Sequence, residues 1–248
     1  MKILIFLTFT PFFIFGQLSP NVNEFYQQIS KSKRAESKNI SIDGHESELY
    51  KIHEKMDKIA TDQEIEHIAF HGNPVNKYYA TNILFKRKSK SLEKLFKYYV
   101  KSKDSVHILK GCIGGISGLD YELYLNIVSE KQTINQAVWE KKWKDSMMIN
   151  KKQNTPEYLN LVDVLNTETN WTCKELDSLV YKFDQIILDD PESSEKIVEF
   201  ICGRYLFESI KVPYFEKITY FEKKYNSEYI KKYLNFCRYG IREEPKDY

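Results

Sequence analysis

The chain has 248 residues, with 37 Lys and Arg against 35 Asp and Glu, so its net charge is +2, and 42% of its residues are hydrophobic. This balance excludes low-complexity disorder, collagen, a coiled-coil rod and a protein with several membrane spans. A nearly neutral chain has no overall attraction to nucleic acid. We expect a globular protein that buries roughly 70% of its unfolded-chain surface and needs neither a metal nor disulfides to fold.

The first 16 residues have the form of a secretory signal peptide. A single cation, Lys2, precedes an uncharged apolar run from Ile3 to Phe15. A helix of that length rises about 20 Å, which is too short for a hydrocarbon core of about 30 Å. We predict export to the periplasm or the extracellular space, with cleavage between Gly16 and Gln17. The alternatives are an uncleaved anchor or a buried helix. Because no second apolar run follows, we expect no transmembrane span in the mature chain.

Four cysteines, an even number, are compatible with two disulfides in an oxidising compartment. They allow three connectivities among Cys112, Cys173, Cys202 and Cys237. No CxxC pair is present, which argues against a zinc knuckle or a thioredoxin-like motif. Free cysteine is commonly a small core residue, so unpaired thiols are the alternative.

In chain order, the polar residues 17–45 predict a mobile N-terminal lead with one short helix near residues 25–29. Residues 46–242 predict a single helical domain, and residues 243–248 a C-terminal tail. Capping boxes indicate helix starts at Thr61, Thr133 and Thr172. A cap residue followed by proline indicates further starts at Asn73-Pro74, Thr155-Pro156 and Asp190-Pro191.

Apolar residues in these segments recur at the spacings of one helix face. After Ser91, for example, the apolar positions are Leu92, Leu95, Phe96 and Tyr99. No run alternates convincingly between apolar and polar residues, as a half-buried strand does. The predicted fold class is therefore all-α, with antiparallel helix pairs joined by short loops.

The segment from His71 to Leu84 reads HGNPVNKYYATNIL and resembles the second helix of a HEAT-type repeat. The positions that fit the family's pattern are Asn73, Pro74, Ala80 and Leu84. Lys77 stands where the family has Arg, and Asn76 replaces its usual Val. The chain is also similar to helical-repeat proteins of unassigned role that Gram-negative bacteria export. The resemblance implies a short α-solenoid or irregular helical bundle with a concave binding surface, and it carries no catalytic residues.

His67 and His71 are four residues apart, so both project from one face of the helix that begins after Thr61. Two imidazoles at this spacing can chelate a transition metal, with Glu64 one turn earlier. The pattern is not HExxH, because Ile68 stands in the place of the catalytic Glu. The interpretation we favour is structural, with His71 near a helix C-terminus, where the dipole favours it. We expect no cofactor.

The stretch from Gly111 to Gly118 is rich in glycine and includes Cys112 and Ser117. It lacks the Gly-Lys-Ser/Thr of a P-loop, and Leu119 stands where a G-x-S-x-G nucleophile elbow needs glycine. Close packing or a turn is the simpler interpretation, since glycine adopts conformations closed to other residues. An anion-binding loop or a Cys or Ser nucleophile is the alternative.

Charge is unevenly distributed along the chain. Residues 86–110 have a local net charge of +7, whereas residues 157–200 have −8. We predict that a basic helix face binds a partner through Lys90, Lys94, Lys97 and Lys101. The partner would be another protein or an anionic envelope surface, and nucleic acid is disfavoured. Ordinary solvated helix faces are the alternative.

The function hypothesis is an exported, non-catalytic helical protein that binds another macromolecule. One alternative is an exported hydrolase that uses a metal at His67 and His71 or a nucleophile at Cys112 or Ser117. The other is an immunity-type binder of a protein toxin, which depends on analogy alone.

Overall fold

The computed structural model describes residues 18–159, 169–211 and 214–240. Its helices are α1 (Pro20–Ser30), α2 (Glu48–Ile59), α3 (Asp62–His71), α4 (Pro74–Lys86), α5 (Leu92–Ser102), α6 (Leu119–Ile149), α7 (Cys173–Asp189), α8 (Glu195–Phe207), α9 (Phe215–Tyr225) and α10 (Glu228–Tyr239). Its strands are β1 (Ala35–Ile40), β2 (His45–Glu46), β3 (Ser105–Gly111) and β4 (Ile113–Gly118). A further helical segment starts at Pro156.

The prediction of an all-α stack of antiparallel helix pairs is wrong. Of the described residues, 68% are helical, but 10% form a mixed sheet in the order β2-β1-β3-β4. Strand β1 runs parallel to β3, and the two outer pairs are antiparallel. Only Val106 and Ile108 are buried along β3, and β1 is mostly polar. The alternation of apolar and polar residues in β3 was therefore too short to detect from the sequence.

The glycine-rich stretch forms the β3–β4 hairpin. Lys110 pairs with Ile113 across a loop of Gly111 and Cys112. Gly111 has a φ of +57°, a conformation that side chains with a Cβ rarely adopt. This position therefore explains one glycine of the stretch by turn geometry, as in hairpins that place glycine first in a two-residue loop.

Residues 17–45, expected to be a lead, contribute α1 and β1 to the fold. Val22 and Ile29 on α1 are fully buried. The buried Asn76 side chain donates hydrogen bonds to the Ser30 Oγ (2.6 Å) and to the Tyr26 carbonyl, which fastens α1 to α4. The expectations for the signal peptide, residues 1–16, and the tail, residues 243–248, fall outside the described residues.

The core surrounds α4, whose buried positions span Val75 to Phe85. Helix α4 packs against α3, α6, α1 and the sheet strands β1 and β3. A second part of the core lies between α5, α6 and α7, where the Phe96 and Phe183 rings stack with centroids 3.7 Å apart. The fold thus buries aromatic rings where the helices cross.

Two of the three predicted capping boxes are confirmed. Thr61 with Glu64, and Thr172 with Glu175, make both reciprocal hydrogen bonds. The third prediction, at Thr133, is wrong, because α6 continues through it for 31 residues without a break. The Thr133 hydroxyl instead donates to the Ser129 carbonyl, one turn earlier.

Candidate functional site

A groove of about 500 Å³ lies between α6, α8 and α10. This volume is in the range of ligand-binding clefts. Helix α8 supplies its floor and one wall, and α6 and α10 supply the other walls. Its lining combines rings, aliphatic stems and cations, and consists of Tyr121, Val128, Gln132, Lys196, Glu199, Phe200, Gly203, Arg204, Phe207 and Tyr229.

Gly203 lies in the interior of α8 and faces this groove. A Cβ built on Gly203 would meet no atom within 4 Å. Its φ is not in the positive range, so the backbone does not need glycine there. Glycine inside a helix costs about 0.5–1 kcal/mol relative to alanine. The fold thus gains nothing from glycine at this position, while the groove gains open space.

Below the groove lies a buried polar cluster centred on Asp184 of α7. The Arg204 Nη2 donates to the Asp184 Oδ2 at 2.7 Å, and the two side chains are 6% and 0% exposed. The hydroxyls of Tyr124 and Tyr205 also donate to the Asp184 carboxylate. Burial raises the pKa of the Asp184 carboxyl, and the Arg204 charge and the two hydroxyls oppose that effect. Asp184 thus fixes Arg204 in place at the groove.

Arg204 is only partly satisfied by this cluster. Its Nη1 lies 3.4 Å from a Glu208 carboxylate oxygen, but its buried Nε has no hydrogen-bond partner. A buried donor without an acceptor is costly, about 1–3 kcal/mol.

Cationic and aromatic groups line the groove, together with one acid, Glu199. The Lys196 Nζ sits 4.3 Å from the centroid of the Tyr121 ring. Within the described part of the chain, no carboxylate forms an ion pair with Lys196. Tyr229, 64% exposed, and Phe207, 72% exposed, stand at the rim. Exposed aromatic side chains of this kind are enriched in protein interfaces, as are arginines.

His67 and His71, the candidate metal ligands, lie side by side in the structure. The ring centroids of His67 and His71 are 4.8 Å apart. They line a separate cavity of about 390 Å³ with Asn23 and Tyr26. Burial and the nearby charge of His71 lower the pKa of His67. Across the ranges the structure describes, no three His, Cys, Asp or Glu side chains are placed to hold a metal ion.

The structure separates the candidate nucleophiles from the nearby histidine. Cys112 is exposed at the hairpin tip. Ser117 pairs with Val106, whereas His107 pairs with Ile116, so Ser117 and His107 point to opposite faces of the sheet. The Ser117 Oγ is buried without a hydrogen-bond partner. No nucleophile–base pair involving Cys112 or Ser117 is formed among the described residues.

All four cysteines are free thiols in the structure. Cys202 is fully buried, and Cys112 is exposed, whereas Cys173 and Cys237 are half-buried. Burial raises the pKa of the Cys202 thiol well above its usual range. This places Cys202 in the core, in accord with the alternative to disulfides.

The predicted basic face is exposed on and just before α5, at Lys90, Lys94, Lys97 and Lys101. Lys97 pairs with Glu93 at 2.8 Å, and the Lys94 Nζ lies over the Phe70 ring. Lys90 and Lys101 form no ion pair with any residue in the described ranges. The structure thus leaves part of this face free to meet solvent or a partner.

The basic and acidic segments pack against each other through α5 and α7. Lys88 pairs with Glu175 at 2.8 Å, and Lys182 pairs with Glu93 at 3.1 Å. Within the described ranges, only the Lys88–Glu175 pair joins a cation of the basic segment to an acid of the acidic segment, since the signs are reversed in Lys182–Glu93. Attraction of this kind between exposed side chains is worth at most about 1 kcal/mol a pair.

No protein-family model matches the chain, and neither a curated protein nor a solved structure is significantly similar to it. Within the described ranges, no helix has the length and apolar character needed to cross a membrane.

Sequence reasoning missed the groove, although one signal was available. Ile197, Ile201 and Tyr205 marked α8 as an amphipathic helix, and Gly203 lies within it. A glycine inside a predicted helix lowers the helix propensity of the segment, so it indicates that another requirement applies at that position. The other walls come from α6 and α10, and no local pattern indicates that these helices meet.

Proposed function

We propose that the protein is a non-catalytic binding protein that holds a segment of another protein in the groove between α6, α8 and α10. The observation that carries this proposal is Gly203, which keeps the groove floor open at a cost to helix stability. A binding role explains that cost, whereas packing does not.

The lining supports a partner segment with aromatic and acidic side chains. Tyr121, Phe200 and Tyr229 offer ring faces and edges to an apolar or aromatic side chain. Lys196 offers a positive donor to a carboxylate or a backbone carbonyl, and the Arg204 guanidinium adds a fixed positive charge at the groove. Because Asp184 holds the guanidinium in place before binding, little side-chain entropy is lost when the partner arrives.

We also propose that the protein acts outside the cytoplasm. The apolar run from Ile3 to Phe15 after a single lysine supports this location, since that arrangement is typical of a cleaved signal peptide. Intact-mass analysis of the protein from its native cells should show a chain that begins at Gln17. A retained Met1 would contradict the proposal.

Selection from a random peptide library tests the binding function directly. The chain from Gln17 onward, which contains every described residue, serves as the bait. The affinity of the selected peptides is then measured for two variants at position 203. Gly203→Ala adds one methyl group to the groove floor, and we expect a small loss of peptide affinity. Gly203→Trp places a large ring in the groove, and we expect a loss of about tenfold or more.

The selected peptides should also be rich in aromatic and acidic residues. Urea unfolding of both variants checks that Gly203→Trp is folded, so that lost binding reports the groove. Peptides that bind Gly203→Trp as well as the unmodified chain would overturn the proposal. So would a library that yields no binder above background.

A further inference from the structure

The second half of α6 extends beyond the helical core as an arm, defined here as residues 136–159. The buried positions of α6 before this point run from Leu119 to Val128. Within the arm, Glu140 and Met147 are the buried residues of α6. Among the described residues, the hydrogen bonds and ring contacts of arm side chains stay within the arm itself. Its helical part, ending at Ile149, is about 20 Å long.

The arm carries an exposed apolar face. Trp139 and Trp143 are 58% and 41% exposed, and their ring centroids are 5.2 Å apart. Val138 is 50% exposed and Ile149 is 82% exposed. At 3.6 residues per turn, these four side chains and Lys142 fall within an arc of about 140°. These apolar side chains therefore share one face of the arm, which also includes the exposed polar residues Lys142 and Ser146.

Lysines lie on this face and to one side of it, and they lack acidic partners in the described ranges. Residues 141–152 contain five lysines and one acid, a net charge of +4. Within the described ranges, none of these lysines forms an ion pair; they are Lys141, Lys142, Lys144, Lys151 and Lys152. Outside the arm, Lys77 pairs with Asp104 and Lys86 with Asp57, whereas Lys90, Lys101 and Lys196 are unpaired in the described ranges. The arm is thus the place where positive charge is left uncompensated beside exposed tryptophan.

We infer that the arm docks the protein on an anionic lipid bilayer, lying in the plane of its surface. Tryptophan prefers the boundary between headgroups and acyl chains, because its ring is apolar while its N–H can stay hydrated. Lysine stems extend along apolar surface while their charges reach anionic headgroups. An apolar face combined with a basic rim is the pattern of helices that lie on a membrane rather than cross it.

Co-sedimentation with lipid vesicles tests this inference, using the chain from Gln17 onward. Binding should be strong to phosphatidylcholine vesicles that contain phosphatidylglycerol and weak to pure phosphatidylcholine. Trp139→Ala/Trp143→Ala should reduce binding by about tenfold or more. The matched control, Tyr220→Ala/Tyr239→Ala, removes two exposed rings outside the arm and should bind normally.

The charge contribution is measured with a second matched pair. Lys141→Gln/Lys142→Gln should weaken binding by about fivefold for each lysine removed. Lys55→Gln/Lys58→Gln removes the same charge from exposed positions of α2 and should have little effect. Binding of the unmodified chain should also fall at 1 M salt, where the Debye length is about 3 Å.

Fluorescence shows whether the arm itself enters the bilayer. Trp171→Phe retains a ring stacked on Phe85 and leaves Trp139 and Trp143 as the emitting residues. Their emission should shift to shorter wavelength with anionic vesicles and become protected from acrylamide. Unshifted emission, or vesicle binding that survives Trp139→Ala/Trp143→Ala, would overturn the inference. So would self-association of the unmodified chain that this variant abolishes, because the face would then bind a second copy.

Discussion

The Asp184 carboxylate and the Arg204 guanidinium form an ion pair inside the protein, with 2.7 Å between Oδ2 and Nη2. Asp184 belongs to α7 and Arg204 to α8, so the pair joins two helices directly below the groove. Tyr124 of α6 donates to the same carboxylate. One buried acid of α7 therefore holds both α6 and α8, which are two of the three helices that line the groove.

Removal of this acid should destabilise the protein strongly. Asp184→Ala leaves the Arg204 charge buried without its partner, which typically costs about 3–5 kcal/mol. The free energy of unfolding, measured in urea, should fall by that amount. Glu93→Ala removes an exposed partner of Lys97 and should cost about 1 kcal/mol or less.

Replacement of both members of the pair should cost less than removal of the acid alone. Asp184→Leu/Arg204→Met fills the same region with apolar atoms, and such replacements are often close to neutral. A double variant as unstable as Asp184→Ala would show that the damage comes from the lost tyrosine hydrogen bonds rather than from the unpaired arginine.

Gly203→Ala should stabilise the protein by about 0.5–1 kcal/mol, because alanine favours the helix and its methyl group meets open space. Gly240 provides the contrast, since its φ of +70° at the end of α10 is strained for alanine. Gly240→Ala should therefore destabilise. Urea midpoints of the two variants that move in the same direction would contradict this account of Gly203.

Because of His53, the free energy of unfolding should decrease as the pH is lowered. Burial lowers the pKa of His53 from 6.5 to about 4 in the folded state. Neither ring nitrogen has a hydrogen-bond partner among the described residues, and the ring stacks on Tyr79 with centroids 4.9 Å apart. The unfolded chain therefore takes up a proton first as pH falls. Above pH 6.5, the neutral His53 makes its full contribution to the free energy of unfolding. About 3 kcal/mol of that free energy is lost as the pH falls to 4.

His53→Phe isolates this effect, because phenylalanine retains the stacked ring but cannot titrate. The stability of the unmodified chain and of this variant should diverge between pH 6.5 and pH 4, with the unmodified chain losing more. Parallel stability–pH curves for the two proteins would show that other groups control the acid sensitivity.

The thiols should differ sharply in reactivity. Cys112 is exposed at the hairpin tip, whereas Cys202 is buried and its pKa is raised by that burial. Because the thiolate is the reactive form, a disulfide-exchange reagent should modify Cys112 quickly and Cys202 only after unfolding. Cys112→Ser should remove the fast phase. A fast phase that survives this substitution would place the reactive thiol elsewhere.

Helix starts that depend on neighbouring residues could be predicted from the sequence. The Thr61 and Thr172 capping boxes and the Asn73 cap of α4 are all formed. Each consists of contacts within three residues, so the local sequence contains the full signal. Two other predicted starts are wrong, since α6 runs on through Thr133 and α8 begins at Glu195 rather than after Asp190-Pro191.

The sheet and the groove required contacts that no local pattern specifies. Strand β1 is polar on average, and it exists because it pairs with β3, whose Ile108 lies opposite Ala35. The groove brings Tyr121 together with Tyr229, which are far apart along the chain. Strand pairing and helix packing at such separations follow from the whole fold rather than from periodicity.

Site-specific photo-crosslinking in the cells that make the protein tests the groove most directly. Tyr229 at the rim and Tyr220 on α9 are both exposed, at 64% and 48%, and each is replaced in turn by a benzophenone amino acid. We expect a defined protein adduct from position 229, and this adduct should disappear when Gly203→Trp is added. We expect no such adduct from position 220. The same adduct from both positions, or its persistence with Gly203→Trp, would contradict the claim that the groove holds the partner.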